Sequence, residues 1–394
     1  MRGRLDALPG QLGELVDRGT ISGAVTLLWR GGEIVHRSET GWRDIALALP
    51  MTGDTIFRIA SMTKPVTSVA ALMLVEEGKL ALDDPIARWM PEFAAMRVLR
   101  DPEGPLDATE PAARPVTVRD LLTHRSGIAY GFSAAGPIAE AYEAALGDIT
   151  RVHLKPDAWL ARLAALPLLH QPGSRMHYGH SSEVLGYLIE RVSGTGFFPF
   201  LRTRILDPLG MHDTAFHVPE PERHRLATLY RSEGGALRPV DIGIPAAPPI
   251  FCAGGGMLVS TADDYLRFAR MLLDHGRLDG IRILRRETVA MMRANQLTPD
   301  QREIPFLGRP YWSGMGFGLG LGIVTDPVRH AWMGPGNPGA FSWPGVWGTW
   351  WQADPVLDAV LIYLIQHAVP LGPAARPRPG LDLFQRAVYG AWPG

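Results

Sequence analysis

One stretch constrains this chain more than any other: Ile59 to Gly78, IASMTKPVTSVAALMLVEEG, where a serine and a lysine stand three residues apart at the entry of an almost wholly apolar helix. Pro65 fits only in a first turn, because deeper in a helix it removes a backbone donor and clashes with the preceding turn, so the helix must begin near Ser61. Gly78 supplies a stop. Val66, Val69, Ala70, Ala71, Leu72, Met73, Leu74 and Val75 leave little polar face, which predicts a helix covered on most sides. Positions three apart on a helix are neighbours, so Ser61 and Lys64 can touch. An ammonium in so crowded a place loses hydration, which favours the neutral amine and equips it to take a proton, as a serine nucleophile requires. The alternative is a helix-capping Ser61 with Lys64 reaching solvent along its stem.

With 14 serines and 3 lysines, a Ser-x-x-Lys spacing arises by chance roughly once in ten such chains, so the motif alone is weak. The lysine inventory sharpens it. Lys64, Lys79 and Lys155 are all there are, and the other 36 of the 39 basic residues are arginine. Arginine cannot deprotonate in a protein, so position 64 is where the choice of lysine matters chemically.

The rest of the composition bounds the function. A chain of 394 residues can build a large core and two lobes, and 46% hydrophobic residues argue against disorder. A net charge of −1 with acids and bases interspersed indicates no nucleic-acid stripe and points to a substrate close to neutral. Cys252 is the only cysteine, which excludes an internal disulfide and a thiolate metal cluster. The opening MRGRLDALPGQLGELVDRG has no apolar core of signal-peptide length, and no apolar run is long enough to cross a bilayer, so a cytoplasmic protein with no membrane partner is expected.

Along the chain, Leu5 to Asp17 has helical spacing, and Gly23–Trp29, Gly31-Gly32 and Glu33–Arg37 read as a hairpin. Thr55–Arg58 is a short strand leading into Ser61, and Asp83 and Asp84 are placed to cap the next short helix. Residues 91–115 read as an insertion loop, Val118–Leu122 as a short helix closed by residues 123–127, Tyr130 and Phe132 as loop aromatics, residues 134–165 as mostly helical and Pro172-Gly173 as a turn, before a helix carrying Val184, Leu185, Leu188, Ile189 and Val192 that ends at Gly194 and a further helical stretch, Phe197–Leu206. Ala253–Val259 is a glycine segment where the backbone must approach something closely, and Thr261 with Asp264 fits a capping box. Residues 305–345, rich in Gly, Pro and Trp, read as a loop wall. Val346–Ala353 and Asp358–His367 read as strands and Leu383–Trp392 as a closing helix. Strands at both ends with helices between predict an α/β fold of the α+β type, a mainly antiparallel sheet flanked by helices. The expected division is a discontinuous sheet domain, residues 1–65 and 253–394, and a helical lobe, residues 66–252, with the active site in the cleft between them.

Ser61-Met62-Thr63-Lys64, LLTHRSG at 121–127, Pro172-Gly173 with Tyr178, AGGGMLVSTADD at 253–264 and WPGVWGT at 343–349 occur in this order. Together they resemble the serine β-lactamase and penicillin-binding superfamily, in its class C-like branch, and most closely the family VIII carboxylesterases. The resemblance spans roughly residues 10 to 368 and implies a β-lactamase/transpeptidase-like fold. It also implies a nucleophilic Ser61 activated by Lys64 and Tyr178, with either as ground-state base. A tetrahedral intermediate needs two donors, and the resemblance assigns them to the backbone N–H groups of Ser61 and Val346, taking Trp343-Pro344-Gly345 as the third motif. Trp347-Gly348-Thr349 is a rival alignment. Tyr130, Phe132, His180, Trp343 and Gly345 are the expected substrate-binding residues, with Trp312 and Trp347 adding to an aromatic, uncharged cleft.

Where β-lactamases of this resemblance carry a lysine for a substrate carboxylate, this chain has Trp343. Hydrolysis of a neutral ester through an acyl-enzyme is therefore expected, with no metal or organic cofactor. His177 and His180 are three apart but have no evident third ligand. The competing expectations are a transacylase, a β-lactamase or D-amino-acid peptidase, and an inactive scaffold of the same fold.

Overall fold

The two strand-forming ends of the chain meet in one sheet. The computed structural model describes residues 3–369 and 378–392. The strands of that sheet are β1 (Gly23–Arg30), β2 (Glu33–Asp44), β3 (Leu49–Pro50), β4 (Met315–Phe317), β5 (Gly322–Val324), β6 (Phe341–Ser342), β7 (Trp350–Asp354) and β8 (Ala359–Leu364). All pairings are antiparallel, in the order β4-β5-β6-β7-β8-β1-β2-β3. At the centre β1 lies beside β8, Leu27 opposite Ile362.

Five helices position the site: α1 (Gly3–Asp17), α2 (Thr63–Glu76), α3 (Ser181–Ser193), α4 (Ala262–Leu273) and α5 (Leu381–Ala391). On one face of the sheet Leu28, Leu361 and Tyr363 belong to a core with Leu8 and Leu12 of α1 and Phe384 and Val388 of α5. On the other, Leu27, Ile362 and Leu364 belong to the main core with α2, α3 and α4. Burial on both faces is why AVLIYL of β8 is apolar throughout instead of alternating. Helix α2 lies deepest, twelve of its fourteen residues buried. It meets the expectation of a covered helix, and Gly78 follows it at φ +70°.

Four local expectations are corrected. Residues 305–345 are not only loop: they contain β4, β5 and β6, three short strands too rich in glycine to show a period of two. The strand expected from Val346 begins at Trp350, because Gly345 N–H bonds back to Thr349 C=O at 2.9 Å and Gly348 turns the chain at φ +87°. Asp83 and Asp84 do not cap the next helix: Asp83 pairs with Arg119 and Asp84 accepts from Ala81 N–H within its own turn. Thr261 accepts from Asp264 N–H, but the Asp264 carboxylate turns to Asp213 N–H and Thr214 Oγ1, so the capping box is half made. Among the described residues no helix is long and apolar enough to cross a membrane.

Candidate active site

The entry to α2 is held in place before any side chain is considered. Phe57–Arg58 pairs antiparallel with Val259–Ser260, and Ile59 N–H continues the match to Leu258 C=O at 3.0 Å. A 3₁₀ turn, Ala60–Met62, then feeds α2. Ala60 has φ +46°, a left-handed conformation that costs a non-glycine residue about 1–2 kcal/mol. The strained residue immediately precedes Ser61.

Around Ser61 the side chains form one connected chain. Tyr178 hydroxyl donates to Ser61 Oγ at 2.7 Å, and Trp343 Nε1 donates to Tyr178 hydroxyl at 3.3 Å. Lys64 Nζ lies 3.2 Å from Ser61 Oγ, 3.2 Å from Tyr130 hydroxyl and 2.5 Å from Gly255 C=O. Tyr130 hydroxyl lies 3.0 and 3.1 Å from the two carboxylate oxygens of Glu183. Lys64 is only 1% exposed, so the snorkelling alternative does not hold: the amine is inside, 4.6 Å from the centre of the Tyr178 ring.

The other motifs explain how Tyr178 and Lys64 are placed. His177 N–H donates to His124 C=O at 2.8 Å and Ser133 Oγ donates to Tyr178 C=O at 2.6 Å, tying Tyr178 to the 121–133 loop. Gly179 allows that contact, since a Cβ there would lie 2.1 Å from Ile128 C=O, and Gly127 (φ +83°) lets the same loop approach residue 170, where a Cβ would lie 2.2 Å from His170 C=O. In the glycine segment at 253–256 a Cβ on Gly255 would lie 2.2 Å from Glu183 Oε1, so the close approach expected there is to α3.

The remaining expected residues fall at different depths. Tyr130 is buried with its hydroxyl on Lys64, while Phe132 stacks on it at 4.9 Å and is 53% exposed, forming a rim. His180 is buried before the first turn of α3, its ring edge-on to Tyr130 and Trp159. Trp343 joins Phe306, Tyr311 and Phe317 in an aromatic wall around Tyr178, and Trp312 sits behind it. Gly345 lies against Ile59 C=O, so the 343–346 segment runs beside the strand that leads to Ser61. Trp347 instead gives its C=O to His367 N–H. His177 Nε2 lies 3.2 Å from Ser133 Oγ, and the described residues include no cluster of metal-ligating groups.

Three residues escaped the sequence reading. Glu183 resembled an ordinary first-turn acid of α3, Gly255 contributes only its backbone, and His124, whose ring lies 5.0 Å from that of Tyr178, was one letter of a loop motif. Burial sets the electrostatics. Burial, then the charge of Glu183, hold the Tyr130 phenol well above its ordinary pKa, so it stays protonated. Burial pushes Glu183 up and Lys64 pulls it back. Burial, then Lys64, hold His180 down at about 3, so its ring is neutral.

A serine hydroxyl flanked by an amine and a phenol can be deprotonated and can pass a proton on, which is what acyl transfer needs. A family model described as Beta-lactamase matches residues 10–384. Protein Rv1367c of Mycobacterium tuberculosis (strain ATCC 25618 / H37Rv) is 51% identical over 371 residues, covering 93% of this chain and 91% of that one. Esterase EstB of Burkholderia gladioli is 33% identical over 390 residues, covering 93% and 90%. The solved structure of EstCE1, described as a hydrolase with promiscuous acyltransferase activity, superposes with a TM-score of 0.81 at 26% identity over 98% of both chains.

Proposed function

The chain belongs to the beta-lactamase family, a serine hydrolase fold with esterase and acyltransferase relatives, and from that premise we propose a carboxylesterase that cleaves neutral esters through an acyl-enzyme. The observation that carries the reading is Ser61 Oγ within hydrogen-bond reach of both Lys64 Nζ and Tyr178 hydroxyl. Ser61 attacks the ester carbonyl as its proton passes to the Lys64/Tyr178 pair. The oxyanion meets the N–H groups of Ser61 and Val346, the leaving alcohol takes a proton, and water opens the acyl-enzyme. Gly345 packed on Ile59 C=O supports Val346 as the second donor, because it brings the two N–H groups onto adjacent segments.

The uncharged wall of Trp343, Phe306 and Tyr311 supports a neutral substrate over a β-lactam or peptide carboxylate. Acyl transfer to an alcohol is the second reading, favoured by the description of EstCE1. With this go a cleft between residues 66–252 and the sheet domain formed by residues 1–65 and 253–394, a small-molecule ester as substrate with no nucleic-acid or membrane partner, and a cytoplasmic location. Assay of p-nitrophenyl esters of two to twelve carbons beside nitrocefin, for wild type and Ser61→Ala, tests it. Ester turnover that depends on Ser61, with little nitrocefin opening, is the expected result. Faster nitrocefin opening would overturn the ester reading, and inactivity with no labelling by a fluorophosphonate would favour a scaffold.

A further inference from the structure

The hydrogens in the chain around Ser61 can be assigned one by one from its two ends, the Trp343 indole and the Glu183 carboxylate. Trp343 Nε1 carries a hydrogen and can only donate. An ionised Glu183 can only accept. Trp343 therefore gives its hydrogen to the Tyr178 oxygen, and Tyr178 gives its own to Ser61 Oγ. At the other end Glu183 takes the single hydroxyl hydrogen of Tyr130, so the Tyr130 oxygen can only accept from Lys64. Gly255 C=O, also an acceptor, takes a second hydrogen from Nζ.

If Ser61 is to give its proton to Lys64, the amine that receives it is neutral, with two hydrogens and one lone pair. With both hydrogens committed to Tyr130 and Gly255, the lone pair is left facing the third neighbour, Ser61 Oγ. We propose that Glu183 is a positioning residue: by accepting from Tyr130 it fixes the hydrogen-bond polarity that aims the Lys64 lone pair at Ser61. This rests on the reading of Ser61 as nucleophile and deepens it. In the acylation step the Oγ–C bond forms as the Ser61 proton moves to Nζ, giving an ammonium with three N–H bonds. The proton returns to the leaving oxygen, by way of the Tyr178 hydroxyl, as the ester C–O bond breaks. Glutamine at 183 keeps the shape but can donate. Its amide hydrogen can satisfy the Tyr130 oxygen, turn the Tyr130 hydrogen toward Lys64, and capture the lone pair. The groups facing the Glu183 carboxylate are the Tyr130 hydroxyl, Lys64, the Gly255 backbone and neutral His180, whose Nδ1 is 3.8 Å away.

The test is the rate of Ser61 labelling by a fluorophosphonate, with kcat and KM for a p-nitrophenyl ester, in wild type, Glu183→Gln, Tyr130→Phe and the double variant. Each single variant should lose about 100-fold in labelling and kcat, the low end of what a general base contributes, with KM within about twofold. The double variant should fall no further than Tyr130→Phe, because Glu183 acts through Tyr130. Losses that multiply in the double variant, or a Tyr130→Phe variant that labels at the wild-type rate, would overturn the proposal. The latter measurement still decides if Glu183→Gln does not fold. Wild type that is not labelled at Ser61 would remove the underlying nucleophile reading instead, so the two failures are distinguishable.

Discussion

Two walls of side chains meet at Ser61 and are built differently. On the side of Lys64, Tyr130, Glu183 and Gly255, directional hydrogen bonds join the buried polar groups. On the side of Phe306, Tyr311, Trp343 and Phe317, most contacts are ring edges and faces 4.9 to 6.2 Å apart. A buried hydrogen bond has one acceptable geometry and a high cost when a partner is lost, whereas aromatic packing adapts to a change of shape. The polar wall should therefore govern the rate of the chemistry, and the aromatic wall should govern what binds.

Substitutions can break that contrast, and the largest effect belongs to the polar wall. Ser61→Ala should abolish fluorophosphonate labelling and reduce ester turnover by at least about 10⁴-fold, and Lys64→Arg, which cannot deprotonate, by about 10³-fold in kcat. Retained turnover in Lys64→Arg would move the base to Tyr178. Trp343 belongs to both walls: Trp343→Phe keeps most of the ring packing and loses the hydrogen bond to Tyr178. A fall in kcat of about tenfold, near 1.4 kcal/mol, is expected. At the rim, Phe132→Ala should raise KM by a few-fold for aromatic esters and leave kcat near wild type, which steady-state kinetics on benzoate and acetate esters would resolve. A large kcat loss there would erase the distinction between the walls.

The smallest effect is on stability. His180 is neutral when folded, with its pKa held near 3 by burial against the ordinary 6.5. As pH falls below about 6.5 the unfolded chain takes the proton first, so this stabilisation is present above that value and is lost on descent toward the folded value. The slope is up to about 1.4 kcal/mol per pH unit. Denaturant unfolding of His180→Asn between pH 7 and 4 should show a flatter pH dependence than wild type, by up to one proton. Asp264, raised to about 6 by burial, acts in the opposite sense, which is why the difference between variants is the quantity to measure. An unchanged slope would mean that the imidazole is protonated in the folded protein.

What the chain alone determined was whatever depends on neighbours in sequence. Pro65 and the apolar run set where α2 starts and how deep it lies; the spacing of Ser61 and Lys64 placed both on one turn; the glycine pair at 31–32 set the hairpin; and the order of motifs carried the family. The tertiary structure decided whatever depends on groups far apart in the chain. Glu183 is 119 positions from Lys64, and nothing local distinguishes it from an acid at the start of a surface helix until Tyr130 is laid between them. Strands β4 to β6 were illegible for the same reason, since two- and three-residue strands have no period to read and exist only because a neighbour pairs with them. A helix encodes itself in contacts three and four residues apart, but a polar network and a sheet edge are held by groups that only folding brings within hydrogen-bond reach.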